Sequence, residues 1–231
     1  MHPTDKAARV AGAVYLSMVV TAPFGLIYVP RTLIVPGNAT TTANNVLAHE
    51  TLFRLGIVAD LISCVIFICL AIALYRLLSG VNKTHASLMV GLVEVSAAVG
   101  FLNVLNNIAA LTLFRGADFL AVFDKPQRDA LAMLFLRLHG QGNVINEIFW
   151  GVWLFPFGVL VIKSGFLPRI LGVWLIINGF AYLAISFTGL VLPQYAGMVS
   201  TIALPTLFGE MAIALWLLIK GAKVQPLAAE A

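Results

Sequence analysis

The chain has 231 residues, of which 61% are hydrophobic and only 10% are charged, and its formal net charge is +4 at pH 7. A soluble domain is about half apolar and a quarter charged, so this composition excludes an ordinary soluble protein. The 14 lysines and arginines lie singly at the ends of apolar runs, a pattern typical of topology signals and not of nucleic-acid binding.

The apolar runs predict an all-α protein, a polytopic transmembrane helical bundle with six spans in one domain covering 1–231. About 20 apolar residues suffice to cross a hydrocarbon core of about 30 Å, and alternating strand-like segments are lacking. The predicted spans are 10–29, 55–77, 86–114, 138–162, 170–192 and 198–219.

Prolines and caps predict where the helices bend, begin and end. In the first span Pro23 is expected to bend the helix and Pro30 to end it. The pattern from Thr42 to Leu78 is helical without a break. Asp124 is expected to cap a helix that continues to about residue 162, with a bend at Pro156.

The charges also predict the topology. Six spans place both termini on one side, and eight of the 14 basic residues, Lys223 among them, lie on that side. This bias favours cytoplasmic termini in a bacterial inner membrane. Lys6 and Arg9 precede an apolar run that is too long for a signal peptide, so the first span is expected to remain uncleaved.

The fourth predicted helix carries an unusual polar face. His139, Asn143, Asn146 and Glu147 stand at i, i+4, i+7 and i+8, so they share one side of a helix. Polar and ionisable groups at membrane depth are costly and usually face a bundle interior or a watery cavity.

Two further helices present polar groups at a similar depth, by a helix rise of about 1.5 Å per residue. Asp60 follows Arg54 by six residues, as Asn143 follows Arg137. Asn103, Asn106 and Asn107 share one face of the third helix.

These groups are predicted to enclose an outward-facing cavity that binds or transports a small or lipid-like ligand. Glu147 is expected to carry proton or ligand chemistry, oriented by His139. The candidate ligand-binding residues are Arg54, Asp60, Asn103, Asn106, Arg137, His139, Asn143, Asn146 and Glu147.

Two other functions stay open. The chain could be an intramembrane enzyme, including a metal-dependent hydrolase with His49, Asp60, His139 and Glu147 as metal-ligand types, although no HExxH motif is present. It could also be a structural or regulatory membrane subunit whose asparagines join helices. No catalytic residue is assigned and no cofactor is predicted. The expected partners are membrane lipids and the ligand, and the oligomeric state is left open.

A second set of residues concerns the last two spans. Glu210 lies near the middle of the sixth span, and Asn178 of the fifth span could reach its level. Several glycines are predicted to mark close helix contacts, because they let backbones approach. They are Gly100, Gly151, Gly172, Gly179 and Gly209.

The order of short motifs resembles a bacterial family of six-span membrane proteins known only as a domain of unknown function. The motifs are Ala8-Arg9-Val10-Ala11-Gly12, Phe53-Arg54-Leu55-Gly56 followed by Asp60, residues 136–140, and Gly165-Phe166-Leu167-Pro168-Arg169 followed by Gly172. The resemblance implies six spans in a bacterial inner membrane. It implies no activity, cofactor or catalytic residue.

Overall fold

The computed structural model describes residues 3–222, and this part of the chain is helical along most of its length, with no strand. Its α-helices are α1 (Pro3–Pro23), α2 (Val29–Leu33), α3 (Ala39–Ala48), α4 (Glu50–Leu78), α5 (Lys83–Arg115), α6 (Lys125–Val152), α7 (Leu154–Lys163), α8 (Arg169–Val191) and α9 (Ala196–Leu215). The predicted termini, including His2, Lys223 and the tail after it, lie outside the described residues.

Six helical segments are long and apolar enough to cross a membrane, which confirms the predicted number. They are Thr4–Leu33, Glu50–Leu78, Lys83–Arg115, Lys125–Lys163, Arg169–Val191 and Pro193–Lys220. Each begins or ends near the predicted span, but several extend further into polar sequence. The side on which the termini lie remains a prediction.

The first segment differs from the prediction at its prolines. After Pro23 the chain forms a π-helical turn, Phe24–Tyr28, and then continues as α2 through Pro30 to Leu33. The expectation that Pro30 ends the helix is therefore wrong. Pro30 directly follows the π-helical turn, in which the Val29 N–H donates to Phe24 O, so regular α-helical bonding is already interrupted where the proline lacks its N–H.

The predicted unbroken helix from Thr42 to Leu78 is also wrong. The helix is interrupted at His49, whose backbone (φ −124°, ψ 41°) is not helical. Side chains anchor α3 to the chain before it: Asn45 Nδ2 donates to Leu33 O (3.2 Å), and the Val35 N–H donates to Thr42 Oγ1 (3.0 Å). Such contacts between elements are not contained in a helical periodicity.

The helix predicted from Asp124 to about residue 162 is confirmed as the segment Lys125–Lys163, but it contains a break where a bend was expected. Asp124 Oδ1 accepts from the Gln127 N–H (2.8 Å) and Gln127 Oε1 accepts from the Asp124 N–H (3.0 Å), a reciprocal cap. The expected bend at Pro156 is a break at Trp153 between α6 and α7. The break precedes the proline because its ring clashes with the carbonyl four residues earlier.

The chain divides into two compact units, each with its own core. Unit 1 consists of the described parts of Met1–Met18, Ile66–Ser96 and Glu147–Ala231. Its core contains a cluster of rings around Trp153. That indole stacks on Phe157 with centroids 5.3 Å apart and meets the edge of Phe67 at 5.1 Å. Aromatic pairs of this kind add packing energy to the burial of their surface.

Within unit 1, glycines bring α8 against the helices on either side of the Trp153 break. A methyl group on Gly151 would lie 2.7 Å from Gly179 O, and one on Gly158 would lie 2.7 Å from Gly172 O. Gly158 follows Gly151 by seven residues, and Gly179 follows Gly172 by seven residues on α8. The backbones therefore approach at two successive points. All five glycines predicted to mark close contacts have a neighbouring segment within 3 Å of such a methyl position.

Unit 2 consists of Val19–Val65 and Ala97–Asn146. Its apolar core is built from α2 to α6, with Leu33, Ala43, Val46, Ala110 and Ala132 fully buried. At its surface Glu50 pairs with Arg54 (2.7 Å) and lies 3.8 Å from Arg115. The polar groups between core and surface form the candidate site.

Candidate functional site

A network of amides joins α5 to α6 in unit 2. Asn103 Nδ2 donates to His139 O and to Asn143 Oδ1, both at 2.9 Å, and Asn103 Oδ1 accepts from Asn106 Nδ2 at 3.1 Å. Gly142 makes the approach possible, because a methyl group there would lie 2.8 Å from Asn103 Nδ2. Both polar ends of the Asn103 side chain are thus satisfied.

The same network determines which nitrogen of His139 carries a proton. His139 Nδ1 lies 3.1 Å from Asn103 O, and a carbonyl oxygen can only accept, so Nδ1 is the donor. His139 Nε2 lies 3.3 Å from Asn107 Nδ2, and an amide NH₂ can only donate, so Nε2 is the acceptor. In this arrangement the imidazole is neutral.

Asp60 faces this network from α4. Its Oδ2 lies 3.7 Å from His139 Nε2, beyond hydrogen-bond length, although the Asp60 side chain is only 9% exposed. Within residues 3–222 no hydrogen-bond donor reaches the Asp60 carboxylate. Asp60 is also the only acidic or basic residue between Leu55 and Tyr75. Buried carboxylates normally accept hydrogen bonds, so Asp60 is an exception among the described buried acidic residues of unit 2.

Asp60 and His139 line a pocket of about 160 Å³ within unit 2. Asn107 and Asn143 supply the other polar side chains. The apolar part of the wall includes Leu26, Val29, Phe53, Ile57 and Leu136. A mostly apolar wall with a few converging polar groups is the usual character of a small-molecule site.

The first membrane segment also lines the pocket, which the sequence did not predict. Gly25 lies in the π-helical turn and is buried, and a methyl group on it would lie 2.8 Å from the carboxyl carbon of Asp60. π-helical turns occur frequently at functional sites. The only sequence signal was the pair Pro23 and Pro30, which flank the turn and were interpreted as a bend and an end.

The structure brings together most of the predicted ligand-binding residues. Asp60, His139 and Asn143 line the pocket, and Asn103 and Asn106 support them through hydrogen bonds. Asn146 is buried in unit 2, but it does not line the pocket.

Three other predicted site residues lie elsewhere. Arg54 is paired with Glu50 at the surface. Arg137 is exposed and, among the described residues, forms no ion pair. Glu147 belongs to unit 1, where its buried Oε2 has no hydrogen-bond partner in residues 3–222. The roles proposed for these residues remain predictions.

Unit 1 contains a second polar cluster, centred on Glu210 of α9. Tyr15 Oη donates to Glu210 Oε2, Asn178 Nδ2 donates to Oε1 at 3.0 Å, and the Tyr182 hydroxyl also bonds this carboxylate. Tyr15 and Asn178 are fully buried. Glu210 is therefore well satisfied by its own chain, in contrast to Asp60.

The described residues contain no group of side chains that could bind the metal ion considered in the enzyme hypothesis. Within residues 3–222, no three His, Cys, Asp or Glu side chains converge as a metal site would require. His49, one of the proposed ligand types, is exposed at the break between α3 and α4.

Six membrane-competent helices define a multi-pass α-helical membrane protein. The chain belongs to the family described as a domain of unknown function, DUF4386, whose model matches residues 10–221. This confirms the resemblance inferred from the motifs.

An uncharacterized protein of Archaeoglobus fulgidus is 30% identical over 171 residues, which cover 73% of this chain and 85% of that protein. No solved structure matches the chain.

Proposed function

We propose that this protein binds a small or lipid-like ligand in the pocket of unit 2. The observation that supports this function is the Asp60 carboxylate, which is nine-tenths buried, lines the pocket and accepts no hydrogen bond from any described residue. Burying a polar group without a partner costs free energy, so a ligand that supplies the partner gains affinity.

The pocket volume limits the ligand. Drug-sized molecules occupy pockets of roughly 300–1,000 Å³. The volume here, about 160 Å³, is close to that of a cavity known to admit benzene, roughly 150 Å³. The ligand is therefore either a small molecule or the head of an amphiphile whose tail remains outside the pocket.

Mass spectrometry of protein purified in mild detergent tests this function. We expect a small molecule or lipid to co-purify with the native chain and to be lost from Gly25→Ala, because the added methyl group displaces Asp60. Gly91→Ala is the matched control, since a methyl group there has no neighbour within 4 Å. A chain that carries no ligand, or equal amounts of it in both variants, would refute the proposal.

Transport is a second candidate, favoured by the π-helical turn that lines the pocket. Broken helices surround the substrate site in many transporters, because irregular backbone can rearrange there. The test introduces one cysteine at Leu26 after Cys64 and Cys69 are replaced by alanine. A transporter is expected to expose this cysteine to an impermeant reagent from both sides of a vesicle membrane. Reaction from one side only would indicate binding without transport.

The proposed location is a bacterial inner membrane with the pocket open to the outer side. The bias of basic residues toward the side of the termini supports this orientation. Labelling of single cysteines introduced at Ser79 and Gln127 tests this orientation independently of ligand binding.

A further inference from the structure

We infer that the ligand of this pocket carries a compact organic cation, a protonated or quaternary amine, which pairs with Asp60. This inference rests on the proposed binding function and names its ligand class. It derives from the charges, the walls and the size of the pocket.

The pocket holds one acidic side chain and no basic one to neutralise it. Among the described lining residues there is no lysine or arginine, and Asp60 is the only carboxylate. His139 Nε2 lies 3.7 Å from Asp60 Oδ2, beyond hydrogen-bond length, and the contacts of its ring with Asn103 O and Asn107 Nδ2 fit a neutral imidazole. A positive group of a ligand is therefore the missing complement, since buried charges are normally paired.

The walls favour an organic cation over a metal ion. A metal ion would need several oxygen, nitrogen or sulfur ligands at close range, and Asn143 Oδ1 already accepts from Asn103 Nδ2. Besides the polar groups, the lining includes Phe53 and the aliphatic side chains of Leu26, Val29 and Ile57. Alkylated ammonium groups suit such walls, because their methyl groups pack on apolar and aromatic surfaces while the charge is attracted to ring faces.

The same chemistry occurs in free amines and in lipid headgroups. A pocket of about 160 Å³ accommodates a trimethylammonium or ethanolammonium head but not an acyl chain in addition. The test therefore includes both a soluble amine and an amphiphile that bears the same head.

The experiment uses equilibrium dialysis to measure the binding of radiolabelled choline to the full chain in an uncharged detergent. Unlabelled dimethylbutanol, in which carbon replaces the quaternary nitrogen of choline, is the competitor that removes only the charge. We expect dimethylbutanol to compete at least about tenfold more weakly than unlabelled choline, since hydrogen bonds and contacts to charged groups are the stronger ones.

Two variants connect this preference to Asp60. Asp60→Asn keeps the size of the side chain, and it is expected to lose the preference for choline over dimethylbutanol. Asp118→Asn, at an exposed aspartate of the same unit, is the matched control and should behave as the native chain. If Asp60→Asn does not fold, the comparison of the two probes on the native chain decides the inference without any variant.

The outcomes separate this inference from the proposed function. Equal competition by choline and dimethylbutanol, or a co-purified ligand that contains no ammonium group, would overturn the inferred cation but not the binding function. Absence of choline binding together with absence of any co-purified molecule would overturn both. Displacement of choline by lysophosphatidylcholine at far lower concentration than by free choline would support the cation and identify the lipid headgroup as its source.

Discussion

Gly25 lies against the carboxylate of Asp60 so closely that a single methyl group would collide with it. The carboxyl carbon of Asp60 would stand 2.8 Å from that methyl group, and Gly56 O would stand 3.1 Å from it. The π-helical turn after Pro23 places the glycine there. One small residue on the first membrane segment therefore leaves room for the Asp60 carboxylate of α4.

Gly25→Ala is expected to lower the free energy of unfolding by about 1–3 kcal/mol, the usual cost of adding a methylene to a filled site. The readout is the thermal unfolding midpoint in detergent. Gly91→Ala should leave the midpoint unchanged or raise it slightly, because its methyl group has free space and alanine is the better helix former. Equal midpoints for the two variants would contradict the close packing of Gly25 on Asp60.

Asn103→Ala is expected to destabilise the chain by about 1–3 kcal/mol. The substitution removes the donor to His139 O and Asn143 Oδ1, and it leaves Asn106 without the Asn103 Oδ1 acceptor. Asn44→Ala, at an exposed position of α3, is the control and should cost less than about 0.5 kcal/mol. Chemical or thermal unfolding measures both, and similar losses would show that the amide network adds no stability.

Gly158→Ala is expected to separate the two backbones that meet at Gly172, with a loss of about 1–3 kcal/mol. The neighbouring atom is a backbone carbonyl, which cannot move away as a flexible side chain would. Gly197→Ala on α9 is the control, since nothing lies within 4 Å of its methyl position. A Gly158→Ala midpoint at or above that of Gly197→Ala would refute the close contact.

Tyr15→Phe is expected to cost about 1.5–3 kcal/mol, because it removes a hydroxyl donor from the Glu210 carboxylate while keeping the ring. Tyr28→Phe makes the same chemical change at an exposed tyrosine and should be nearly neutral. Unfolding midpoints compare the two. Ligand binding in unit 2 is not expected to change in either variant, which separates this structural cluster from the pocket.

Single cysteines at Ser79 and Gln127, introduced after Cys64 and Cys69 are replaced by alanine, are expected to react with an impermeant reagent from opposite sides of the membrane. Ser79 follows the segment Glu50–Leu78, and Gln127 lies at the start of Lys125–Lys163, so one membrane crossing by α5 separates them. Reaction of Ser79 from the cytoplasmic side would support cytoplasmic termini. Labelling of both positions from one side would disprove the six-span topology.

Local patterns predicted much of the membrane architecture. The number of membrane helices follows from length and hydropathy, because a backbone in hydrocarbon must satisfy its hydrogen bonds within a helix. The cap at Asp124 follows from a short acidic side chain directly before a helical pattern, whereas the return bond from Gln127 was not predicted. Counting residues along three helices predicted a common level for Asp60, Asn103, Asn106, Asn143 and Glu147, with His139 one turn further out. Of these, Glu147 belongs to unit 1 and the others to unit 2.

Arg54 and Arg137 show where residue counting stops. Each arginine precedes a polar residue of the site by six positions in the sequence, and both were predicted site residues. In the structure, however, Arg54 pairs with Glu50 at the surface and Arg137 is exposed. Long basic side chains extend several ångströms from their backbone, so their position on a helix does not determine where the charge lies.

By itself, the sequence determined that the chain is helical, that six segments can cross a membrane, and which faces are polar. These properties depend on residues near one another in the chain. Only the tertiary structure decided that the first segment reaches Asp60 through a π-helical turn and that Glu147 belongs to unit 1. It also decided that no donor among the described residues reaches Asp60, while three described residues bond Glu210. Such facts depend on which distant side chains meet, and helical periodicity specifies the face of a helix but not its neighbour.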